Sequence, residues 1–214
     1  SILQAANYDK SLTNTHALWG GLGWMALLIL AVSLQVIPMF HVAPTFPKYS
    51  AKLIPFILFL TLSLVFVFPQ AIELLLSFLM ILFVLFNVAL LKVIWQRKRK
   101  IPDTTINCWR LAAFTLILIA LFYLSPSNWL SMDIREKKSM LLSAVFIYFY
   151  LISIVLGMLI KILPFLSYTH LQQRCLANFE AMNFLPNMHE LLSKRSANIL
   201  FYLHIFTGSS LVLT

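Results

Sequence analysis

The sequence predicts an all-α, polytopic transmembrane helical bundle of about six spans, and three observations carry that expectation. Hydrophobic residues make up 61% of the chain and charged ones 11%, against roughly half and roughly a quarter in a soluble domain. The apolar residues fall into runs that approach or exceed the ~20 residues needed to cross hydrocarbon. The basic residues behind the net charge of +9 lie mostly in short connections between those runs, where a topology signal explains them better than a nucleic-acid footprint. The expected partner is therefore the lipid bilayer, and no nucleic acid is expected.

The first span is read at 16–40, with His16, Gly20, Gly21 and Gly23 at one end and Gln35-Val-Ile-Pro38 at the other. Pro44 and Pro47 then stop any continuing helix, and Lys48 and Lys52 bracket a short second span at 53–68. Pro69-Gln-Ala-Ile-Glu73 reads as the tight turn of an antiparallel hairpin into the third span, 74–95. Gln96-Arg-Lys-Arg-Lys100 closes it. Thr104, Thr105 and Asn107 are candidate caps for the fourth span, 108–124. A mixed-charge loop leads to the fifth, 140–165, which Pro164 is expected to kink or finish. Leu171, Cys175, Phe179 and Met182 then recur at helical spacing among polar residues, as in a helix lying in the membrane interface. Asn187-Met-His-Glu190 has the spacing of a capping box before the sixth span, 199–214.

The whole of 1–214 is read as one transmembrane domain, expected to be part of a longer chain because it opens without Met and stops inside an apolar run. The six spans alternate in direction. With the Gln96–Ile101 loop cytoplasmic, Lys48, Lys52, Lys92, Arg97 to Lys100, Arg110, Lys161, Arg174, Lys194 and Arg195 share that side. Lys10, Arg135, Lys137 and Lys138 fall outside. Cys108 and Cys175 then belong to the cytoplasmic side as free thiols.

Polar residues inside the spans are the candidates for function. No acidic residue lies deep in any span, which weakens an ion-coupled transporter reading. Lys92, Arg110 and Lys161 are close enough to span ends to snorkel. Asn87 is read as an interhelical hydrogen-bonding residue, and Gln35 as a partner for carbonyls freed near Pro38. His41, His170 and His189 are read as solvated or interfacial. His16-x-x-x-Gly20 and His204-x-x-x-Gly208 stand apart: residues four apart share a helix face, so an imidazole could ligate a flat macrocycle lying over backbone bared by the glycine. The bland reading of the same spacing is helix packing, with Gly20, Gly23 and Gly208 admitting neighbours. No HExxH, phosphate-binding loop, paired CxxC or nucleophile elbow occurs, so soluble-enzyme chemistries gain no support.

Thr15-His16-x-x-x-Gly20-x-x-Gly23-Trp24, followed by Gln35-Val-Ile-Pro38-Met39-Phe40, resembles bacterial membrane proteins related to haem-copper oxidase subunit I, and the neighbouring NnrS-like proteins associated with nitric-oxide metabolism. The resemblance implies a bacterial inner-membrane location and haem as cofactor. It also implies His16 as a haem or metal ligand, with His204 a second candidate. The paired adjacent histidines and tyrosine-bearing motif of catalytic oxidases are absent, so it implies electron transfer or nitric-oxide handling rather than oxygen reduction. Other membrane subunits, or the remainder of the chain, are the implied partners. The competing expectation is a non-enzymatic channel- or permease-like bundle in which the histidines pack.

Overall fold

The computed structural model describes residues 10–98, 100–125, 132–176 and 185–213. The expectations placed on Phe179 and Met182, and on the side chain of His189, lie outside the described residues. All regular structure among the described residues is helical, as an apolar chain that must satisfy its backbone internally requires. The chain divides into two compact units, 1–99 and 100–214, where the sequence reading has one domain.

In the first unit, α1 (Lys10–Leu18), a π-helical stretch (Trp19–Met25) and α2 (Ala26–His41) follow one another without a break. Val42, left-handed at φ 50°, ends α2. Pro44 and Pro47 keep the next five residues out of helix, as expected. α3 (Lys48–Val67) starts five residues earlier than predicted, because the extended backbone at Pro47 (ψ 133°) leaves Lys48 free to turn. A 3₁₀ turn, Pro69–Ala71, links it to α4 (Ile72–Trp95), forming the predicted hairpin. Leu30, Ile37, Leu58, Leu62, Leu79, Phe86, Leu90 and Ile94 are fully buried between these helices.

In the second unit, α5 (Thr104–Leu124) is the central helix. Its cap is Asp103, whose Oδ1 accepts from the Thr105 amide at 3.1 Å. The cap therefore lies one residue ahead of Thr104, the first of the candidates named from sequence. α6 (Met132–Val145), a second π stretch (Phe146–Ile152) and α7 (Ser153–Cys175) are again continuous. α7 passes through Pro164 instead of stopping there; a proline removes one helical bond, and the residues beyond it keep theirs. Leu171 and Cys175, read as interfacial, belong to this extension. α8 (Met188–Leu191) carries the predicted Asn187/Glu190 capping box, and α9 (Lys194–Leu213) follows.

Gly157 brings α7 close to α5: an added Cβ would lie 2.9 Å from Cys108 Cβ and 3.3 Å from the Thr105 carbonyl oxygen. Small residues at such a crossing let helices approach where lipid supplies no hydrophobic drive. Lys161, expected to snorkel, instead donates to Asp103 Oδ2 at 2.7 Å. One carboxylate thus caps α5 and ties it to α7.

Among the described residues, four helical runs are long and apolar enough to cross a membrane: Thr13–His41, Pro69–Trp95, Thr104–Leu124 and Lys137–Cys175. Lys52–Val67 is a shorter apolar helix, and α9 mixes apolar residues with Lys194, Arg195, His204, Thr207 and three serines. Even in the most enclosed run, Thr104–Leu124, only 56% of the apolar window is buried. Phe56, Phe66, Phe114, Leu118, Leu121 and Phe206 are among the large side chains left outside, a surface suited to lipid.

Candidate functional site: two histidine environments

His204 sits in α9 and is buried, at 7% exposure. Its Nε2 is 2.8 Å from Ser153 Oγ, at the first residue of α7. The Tyr148 ring stacks on the imidazole, with centroids 4.7 Å apart and planes 11° from parallel, and Phe149 meets it edge-on at 6.1 Å. The Tyr148 hydroxyl donates to the His204 carbonyl at 3.2 Å and lies against the Thr207 hydroxyl.

The π stretch explains how Tyr148 and Ser153 reach the same ring. In an α-helix, residues five apart point about 140° away from each other. The i→i+5 bonding of a π-helix stacks them on one face. Gly208, one turn beyond His204, completes the packing: an added Cβ would come within 2.5 Å of both Phe149 Cζ and Tyr148 Cε1. The backbone bared by this glycine is therefore covered by aromatic rings of the same unit, and a macrocycle does not fit over it. A serine hydroxyl on imidazole Nε2 is also the pairing that activates a nucleophile. Here Ser153 is 0% exposed, so the pair is a helix-to-helix bond in a dry core, and its chemical capacity is to hold α7 against α9.

His16 is the opposite case. It is exposed near the end of α1 and lines an open groove of about 530 Å³ together with Thr15, Trp19, Ser63, Phe66 and Val67. The wall is apolar apart from two hydroxyls and the imidazole. The paired glycines divide. Gly23 faces α3, where an added Cβ would lie 3.5 Å from Leu62 and 3.3 Å from Trp19, whereas Gly20 has nothing within 4 Å. Among the described residues nothing packs on Gly20, because the π stretch opens the turn and takes positions 20 and 23 off a common face.

The remaining polar candidates resolve locally. Asn87, buried at 1%, donates to the Phe83 carbonyl of its own helix at 2.8 Å. Gln35 is exposed. His41, read as solvated or interfacial, is 5% exposed at the end of α2. His170 is exposed, as expected. Cys108 and Cys175 are free thiols, the first buried. Among the described residues, no three His, Cys, Asp or Glu side chains gather in the manner of a metal site.

Sequence reasoning missed Tyr148, Ser153, Thr207 and Asp103. Ser153, a hydroxyl in the middle of an apolar span, was a visible signal for the His204 cluster. Comparison with family models, curated proteins and solved structures returns no match.

Proposed function

We propose that this chain is a non-enzymatic membrane helical bundle of the channel or permease kind, in which His204 packs rather than ligates. The observation that carries this reading is the 2.8 Å bond from Ser153 to His204 Nε2 beneath the stacked Tyr148 ring. It occupies the nitrogen that a haem ligand would present. The polar intrusions of the spans are met inside the protein: Ser33, Thr61 and Asn87 bond carbonyls of their own helices, and Lys161 pairs with Asp103. The location proposed with it is the bacterial plasma membrane, with the Gln96–Ile101 loop on the cytoplasmic side, a reading supported by the side on which most basic residues fall.

A second reading rests on the groove at His16. There an exposed imidazole borders an apolar-walled groove, and haem held by His16 would supply one-electron or nitric-oxide chemistry when bound. The visible absorption spectrum of the detergent-purified protein from haem-replete cells separates the two. A preparation without a Soret band is the expected result. A Soret band lost in His16→Ala and kept in His204→Ala would replace the first reading with the second.

A further inference from the structure

We infer that the end of the first unit where α2 stops, α3 starts and α4 stops is a docking surface for anionic phospholipid headgroups. The antiparallel α3–α4 hairpin brings Lys52, near the start of α3, to the same end as Lys92 and Trp95, at the end of α4. Beyond α4, the Lys98 amide donates to the Val42 carbonyl at 3.1 Å. That bond folds the basic segment back across the end of α2 instead of letting it extend into water. Lys52, Lys92 and Lys98 are all exposed there, and Trp95 is 81% exposed, as an indole seated among headgroups would be.

The first unit carries little acidic charge to set against this end. Between Lys10 and Arg99 the sequence holds a single acidic residue, Glu73, and it lies in the first turn of α4. Nineteen residues of helix separate it from Lys92, about 28 Å at the helical rise. That is several times the ~8 Å screening length at physiological salt, so Glu73 cannot neutralise the cluster. A fixed group of cations at the end of an apolar hairpin meets its counter-charge in the surrounding leaflet. Each basic residue near an anionic surface strengthens that attraction about fivefold.

The test reconstitutes the full chain in phosphatidylcholine nanodiscs, with or without phosphatidylglycerol, and reads the lipid retained after mild detergent extraction together with the unfolding midpoint. The expected result is selective retention of phosphatidylglycerol and a higher midpoint in its presence. Both should be lost in the combined variant Lys52→Gln, Lys92→Gln, Lys98→Gln and kept in a control of equal charge change, Lys137→Gln, Lys194→Gln, Arg195→Gln. These side chains are exposed, so the variants are expected to fold, and the midpoint in phosphatidylcholine alone checks it. Equal loss in both variants, or no preference for phosphatidylglycerol in the parent, would overturn the inference. Retention abolished by free inorganic phosphate would also overturn it, in favour of a soluble-anion site.

Discussion

The pattern His-x-x-x-Gly occurs twice in this chain and meets opposite surroundings. At His204 the imidazole is enclosed, bonded to Ser153 and stacked under Tyr148, and Gly208 is pressed against two aromatic rings. At His16 the imidazole is exposed beside an open groove, and Gly20 faces empty space. Identical spacing therefore specifies only which face the two residues share. Whether that face receives a neighbour, a ligand or lipid is decided by helices distant in sequence, and for His204 by the pitch of the helix opposite.

The sharpest way to break the contrast is to fill the two glycines. Gly208→Leu should destabilise the protein by about 3 kcal/mol, the upper part of the range for overpacking, because even its first carbon collides with Tyr148 and Phe149. Gly20→Leu should be nearly neutral. Thermal unfolding in detergent reads both, and equal losses would mean the two sites are packed alike.

Next in size is the Ser153 bond. Ser153→Ala leaves a buried imidazole nitrogen without its partner, at a cost of about 1–2 kcal/mol. A double-mutant cycle with His204→Ala should show coupling above about 0.5 kcal/mol, as contacting residues do. Additive effects would remove the bond from any account of stability.

Asp103 tests the other tie in the second unit. Asp103→Ala removes the cap of α5 and the pair with Lys161, and should cost about 1–2 kcal/mol. Asp103→Asn, which keeps a capping oxygen, should cost less than half as much. If the two variants are equivalent, the ion pair rather than the cap carries the effect. The smallest expectation concerns His16→Ala: as an exposed residue it should move stability by less than about 0.5 kcal/mol, leaving the absorption spectrum as the informative readout.

The helical spans were legible because apolar runs and proline stops act locally: Pro44, Pro47 and the Pro69 turn all end or begin elements near where the sequence placed them. The Asn187/Glu190 box was legible for the same reason. The His204 cluster was not. Its partners lie 51 and 56 residues away, and they converge only because one stretch departs from the 3.6-residue period by which helix faces are read. Asp103 was passed over because a charged residue before a span reads equally well as a loop residue, and its second role depends on Lys161, 58 residues on.

The π stretch at Phe146–Ile152 also makes chain length a variable at this site. Such a bulge is equivalent to one residue inserted into a regular helix, so the span could shed a residue here and still cross the bilayer as an ordinary α-helix. Tyr148 and Ser153 would then point to different sides, and His204 would keep one or the other. A deletion harmless to hydropathy and to membrane insertion would thus dismantle the polar core of the second unit, which makes this the position where related chains of unequal length would differ most in what His204 can do.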